Sequence, residues 1–217
     1  MIKPIRWNTF LRDFIRIQLG FVLFGLAISL MIRGNIGTSA WVVLEAALAY
    51  KFGITVGTMT VIMGFLVLFS AIAMREKLGW GTLANILSIG PWADLWNSFM
   101  PSVADNLPLQ IGMLLAAILF MGLGSAIYIG VDAGAGPRDS LMLAIKRTTG
   151  VSIRVSRALI EVTVVTVGFL LGGPAGLGTL VYALLIGPSV QWGFKIFNVQ
   201  PHKANEEAQA GIEGGAE

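Results

Sequence analysis

Residues 162–194 contain no Asp, Glu, Lys or Arg. A helix needs about 20 mostly apolar residues to cross a bilayer, so this run can hold the second half of one spanning helix, a turn and a second helix. The turn is legible as Gly172-Gly173-Pro174-Ala175-Gly176. Further uncharged stretches cover 17–32, 52–74, 78–93 and 107–131. Arg16, Arg33 and Arg75 bracket the shorter ones, and their long stems can carry the charge to the headgroups. The whole chain is 55% hydrophobic and only 12% charged, with mean hydropathy +0.78. Soluble domains carry about a quarter charged residues. The expectation is an all-α polytopic membrane protein.

The stretches follow an internal repeat with a gapless offset of 97 residues. Gly81-Thr82-Leu83 recurs as Gly178-Thr179-Leu180, and Ile89-Gly90-Pro91 as Ile186-Gly187-Pro188. Gly25-Leu26 matches Gly122-Leu123; Gly37, Gly53 and Gly79 match Gly134, Gly150 and Gly176. These matches fall on bends, where backbone geometry narrows the choice of residue. Each copy reads as a first span (17–32; 110–130), a Gly-rich break, a short segment (39–51; 137–149), a second span (55–74; 154–171) and a third (81–98; 178–195). The organisation expected is an interfacial N-terminal segment at 1–16, membrane repeat 1 at 17–98, an external linker at 99–109, membrane repeat 2 at 110–197 and a solvated tail at 198–217. The N-terminal segment alternates Trp7, Phe10, Leu11 and Phe14 with Lys3, Arg6, Arg12 and Arg16, as an interfacial helix would.

Segments of about thirteen residues fall below spanning length and suit re-entrant or interfacial helices. Three spans per copy would turn the second copy upside down. The charges agree: with the N-terminus inside, Arg75, Lys77, Arg138, Lys146, Arg147, Arg154, Lys195 and Lys203 are cytoplasmic, while 99–109 and 172–177 carry no basic residue. Only Arg33 and Lys51 fall on the other side. Six spans in two inverted three-helix repeats, with both termini cytoplasmic, is the topology expected.

The absence of Cys and the single histidine, His202 in the tail, leave no basis for thiolate or zinc sites or histidine catalysis. No P-loop, dinucleotide fingerprint, Ser–His–Asp set or paired-His motif occurs. No catalytic residue, metal or cofactor is therefore expected, and the chain is not expected to be an enzyme. The net charge of +3 needs no nucleic-acid partner, since the basic residues lie beside the spans.

Chemistry-bearing residues concentrate at the two breaks. The first is Gly34-Asn35-Ile36-Gly37-Thr38-Ser39-Ala40-Trp41; the second is Asp132-Ala133-Gly134-Ala135-Gly136-Pro137-Arg138-Asp139-Ser140. Each reads as a glycine turn followed by a helix start, with Thr38 or Ser39 available as cap in one and Pro137 in the first turn of the other. Helix N-termini inside a bundle can receive an anion or carboxylate, so Asn35, Gly37, Thr38, Ser39, Gly136, Arg138, Asp139 and Ser140 are candidate solute ligands. The plainer reading is that the glycines only let a hairpin turn and pack.

Asn85 and Tyr182 occupy matched positions in the third spans and could line a central path or form helix–helix hydrogen bonds. Glu161 follows Arg157 by four residues and Arg154 by seven, so the three share a face. They form either a coupling site or an ion-pair cluster, with Arg157 or Arg138 as partner of Glu161, that locks the second repeat. Glu45 is expected to snorkel to water.

The 134–139 run, the Arg157…Glu161 pair and Gly172-Gly173…Gly176-Leu177-Gly178-Thr179 resemble the bacterial YczE/YyaS/YitT group of integral membrane proteins, over roughly 15–197. Such proteins tend to carry Pro-Trp-Asp where this chain has Ala40-Trp41-Val42, which leaves Asp139 as the single acidic residue of its kind. The resemblance implies a bacterial inner-membrane protein and supplies no catalytic residues.

The function expected is a secondary transporter or facilitator of a small solute, an anion among the candidates, with its site between 34–41 and 134–140. The alternative is a non-transporting accessory protein that supports a partner enzyme or assembly. Lipid is the expected surrounding partner, and a homo-oligomer or a membrane partner protein is compatible with either reading.

Overall fold

Among the described residues the chain forms eight helices: α1 (Phe10–Gly34), α2 (Ala40–Phe52), α3 (Val56–Ala73), α4 (Trp80–Phe99), α5 (Leu107–Ile129), α6 (Pro137–Thr149), α7 (Ile153–Leu170) and α8 (Leu177–Ile196). The computed structural model describes residues 5–74, 79–103, 106–134 and 136–199, and no strand occurs among them. Arg75, Lys77, Ala135, the tail from 200, and the side chains of Asp139 and Arg154 lie outside the described residues. Four helices, α1, α3, α5 and α8, are long and apolar enough to cross a bilayer. The sequence makes α4 more polar through Asn85, Ser88, Asp94 and Asn97, and puts Arg154, Arg157 and Glu161 into α7.

The helices begin where the sequence offers caps. Thr55 Oγ1 accepts from Thr58 N at 3.1 Å at the start of α3, and Ser152 Oγ accepts from Val155 N at 3.3 Å at the start of α7, 97 positions on. The helix expected to begin near 17 begins at Phe10, so the second half of the interfacial segment is continuous with α1. Nothing between Phe10 and Leu19 breaks a helix.

Lipid is as apolar as leucine, so helices in a bilayer associate through close packing and hydrogen bonds. α1 and α5 pack antiparallel at the centre: a Cβ on Gly20 would lie 3.0 Å from Gly124 O, and Gly34 approaches Gln110 O and Met113 at 3.6 Å. Phe21 and Tyr128 add a ring contact at 5.3 Å.

α4 runs parallel to α1, and α8 parallel to α5, by matching devices. Gly25 faces Trp92 and Ala93, and Gly122 faces Ser189, the position 97 after Trp92. Ser189 Oγ donates to Ile118 O at 2.8 Å, while Ser29 Oγ donates to Ala93 O at 2.8 Å. The short helices exchange partners: α2 packs on α7 and α3, and α6 on α3 and α7. One match fails. α3 packs on α4, whereas α7 and α8 make no comparable packing.

Candidate functional site

The two breaks are built alike and dock on the opposite half. Gly37 and Gly134 have φ of 127° and 124°, which glycine alone adopts readily. A Cβ on Gly37 would lie 2.6 Å from Thr179 N, and one on Gly134 2.6 Å from Gly79 Cα. The neighbouring carbonyls complete the joint: Gly178 N donates to Ile36 O at 2.8 Å, and Gly81 N to Ala133 O at 3.0 Å.

Thr38 and Ser39 are buried, and Thr38 N donates to Thr179 Oγ1 at 3.2 Å. Ser39 stands at the cap position of α2, yet its hydroxyl makes no cap bond; Thr38 Oγ1 turns instead to Ser39 O at 3.4 Å. The first break thus packs its turn and the Thr38 backbone N–H against Thr179 of the opposite half. Asn35 is exposed and closes α1 in a left-handed conformation, φ 53°. Asn85 is half-buried on α4.

At the second break Gly136 caps α6 and Pro137 opens it, which places Arg138 in the first turn. Trp41 holds the matched position in α2, and the two meet: the guanidinium carbon of Arg138 lies 4.7 Å from the Trp41 ring centroid. One turn along α2, Glu45 is 0% exposed. Arg138 Nη2 donates to Glu45 Oε1, and Thr60 Oγ1 donates to Oε2 at 2.8 Å.

Glu45 therefore does not snorkel. An isolated buried carboxylate costs several kcal/mol, and Arg138 and Thr60 remove that cost from both sides. Ser140 is 2% exposed, and its Oγ has no hydrogen-bond partner. A signal for the pair was present in the sequence. Residues at matched positions near a pseudo-two-fold axis can face one another, and Glu45 lies one turn from Trp41 on the same face.

Glu161 accepts from Arg157 Nε at 2.9 Å, and the two side chains are 37% and 59% exposed. Both belong to α7, so this pair locks no element to another. Among the described residues, Glu45–Arg138 is an ion pair that joins two helices. Glu161→Gln should consequently change stability by no more than about 0.5 kcal/mol, measured by thermal or denaturant unfolding of purified protein. Tyr182 packs against the cluster of Ala27, Met31, Leu114, Ala117 and Ile118. It also lies within electrostatic reach of Arg138, Glu161 and Arg157. Among the described residues no group of His, Asp and Glu could hold a metal.

An all-helical chain with four such apolar helices is an integral membrane protein. It belongs to the family described as a family of unknown function, DUF6198, whose model matches residues 11–195. It is similar to the uncharacterized membrane protein YczE of Bacillus subtilis, 34% identical over 77% of this chain and 79% of the relative. An uncharacterized protein of Haemophilus influenzae is 32% identical over 83% of this chain and 82% of its own length. The uncharacterized protein YyaS of Bacillus subtilis is 30% identical over 78% and 86%. No solved structure matches the chain.

Proposed function

We propose that the protein is a secondary transporter or facilitator of a small solute, resident in the bacterial inner membrane and without catalytic activity. It would be built from two inverted repeats of three spans, with α2 and α6 as short non-spanning helices. The observation that carries this reading is the Glu45–Arg138 pair, which joins the short helices of the two halves and leaves Arg138 38% exposed. Ionisable residues inside membrane bundles mark solute and ion paths.

The inversion is supported by direction and length. α1 and α5 hold matched places in the repeat and pack antiparallel, each with its own parallel partner, α4 or α8. α2 and α6 have 13 residues each, about 20 Å of helix against about 30 Å of hydrocarbon. Reporter fusions after residues 77, 104, 150, 174 and 200 should read inside, outside, inside, outside, inside. An inside reading at 104 together with an outside reading at 77 refutes the inversion. Flux of a metabolite panel into proteoliposomes of the parent protein, absent from protein-free liposomes, tests transport.

The accessory reading is supported by a different feature. A shallow groove between α5 and α8 is lined by Leu115, Ile118, Leu119, Leu185, Ser189 and Trp192. It is apolar enough to receive a helix of a partner protein. Co-purification of one stoichiometric membrane partner, with no flux of any solute, would favour this account.

A further inference from the structure

The helix pairs α1·α4 and α5·α8 meet at matched glycines but are not filled alike. A Cβ on Gly25 would lie 2.6 Å from Trp92 Cβ, and one on Gly122 would overlap Ser189 Oγ. In the first pair the side chains beside the crossing form a plug. The Trp92 indole N–H donates to Gln18 Oε1 at 3.3 Å, and Gln18 Nε2 donates to Ser88 Oγ at 2.8 Å. Ninety-seven residues on, Leu115, Leu185 and Ser189 stand where Gln18, Ser88 and Trp92 do. An indole has been exchanged for a hydroxymethyl group. Helices already in contact at Gly122 cannot close up on the space it leaves, and the groove between α5 and α8 has a volume of about 380 Å³.

Depth and chemistry constrain what fills that groove. α8 has 20 residues, about 30 Å of helix, which matches the thickness of the hydrocarbon. Leu185 stands near its middle, so the groove opens where water is absent. Its one hydroxyl is spent inward, since Ser189 Oγ donates to Ile118 O at 2.8 Å. The walls therefore ask for hydrocarbon. Toward the end of α8 the same side of the helix changes character. Trp192 follows Ser189 by three residues and is 50% exposed on the rim. Lys195, exposed in the last turn, follows Trp192 by three more. An indole near a helix end packs against acyl chains and offers its N–H to more polar groups, and a lysine at that level meets phosphate.

We propose that the α5–α8 groove is a binding site for a phospholipid. An acyl chain lies where the first half keeps the Trp92 indole, the glycerol esters lie at Trp192, and the phosphate lies at Lys195. Along α8 the order is apolar wall, indole, cation; along a phospholipid it is chain, ester, phosphate. A helix of a partner protein would suit the walls but gives no reason for that order. The site stands whether or not the protein carries a solute.

The test uses the full chain, purified in detergent with phosphatidylglycerol and observed by native mass spectrometry. The parent should retain about one phosphatidylglycerol per chain. Ser189→Trp, combined with Leu115→Gln and Leu185→Ser to rebuild the plug of the first half, should retain none. Leu119→Trp, which fills the groove from an exposed position of α5, should also release the lipid and guards against misfolding of the triple variant. Lys195→Gln should fold as the parent does and bind phosphatidylglycerol about fivefold more weakly. Diacylglycerol, which lacks the phosphate, should bind parent and Lys195→Gln alike. Equal retention by the parent and a folded groove-filling variant would mean an unspecific lipid belt and overturns the proposal. Unchanged affinity in Lys195→Gln does the same. So does a parent that purifies as a dimer, or with a stoichiometric protein partner, which Leu119→Trp dissociates, because the groove would then hold protein.

Discussion

Arg138→Gln should destabilise the folded protein by about 3–5 kcal/mol, because it strips the counter-charge from a carboxylate buried between two halves of the bundle. Glu45 is 0% exposed and has one other donor, Thr60 Oγ1. Removing Glu45 instead strands a guanidinium that is 38% exposed, so Glu45→Gln should cost less. The double variant should recover much of the loss, since replacing both members of a buried pair removes two desolvation penalties together. The cycle is measured by denaturant unfolding of purified protein. Parent-like stability of Arg138→Gln would mean that Glu45 is protonated or solvated in the folded state. The same cycle on Arg157 and Glu161 should show coupling of about 0.5 kcal/mol or less, as for an exposed pair one turn apart.

The second large effect is a change of sign between two glycines at matched positions. Gly90→Ala should destabilise by about 1–3 kcal/mol or prevent folding, since the added methyl overlaps the Gly57 carbonyl in a packed helix crossing. Gly187→Ala meets nothing within 4 Å. It should therefore be neutral or stabilising by up to about 1 kcal/mol, the helix preference for alanine over glycine. Melting temperatures of the two variants decide the matter. Equal losses at both positions would mean that α7 and α8 close together as α3 and α4 do.

Much of the architecture was legible in the residues because its causes are local. Uncharged length marks the helices, and glycine at 37, 53, 134 and 150 marks the breaks where φ is positive. Thr55 and Ser152 mark two helix starts, and four-residue spacing marks the Arg157–Glu161 pair. The 97-residue offset also indicated that the breaks would be built alike. Other features depended on helices far apart in sequence. Glu45 looked like a snorkelling residue because it lies on a short segment near a predicted interface. Its fate depended on where the first turn of α6 would come to rest, and that follows from how α2 and α6 exchange partners between the halves. For the same reason the partner of Arg138 is Glu45 and not Glu161. The side-chain cap that Thr38 or Ser39 could supply is absent where the first break docks on Thr179 of α8. The gap between α7 and α8 belongs to both levels. Glu161 for Gly64 and Ala183 for Ile86 are written in the sequence. That these changes hold two helices apart follows only from the fold, because side-chain volume acts on packing only after the crossing of the helices has chosen which residues meet.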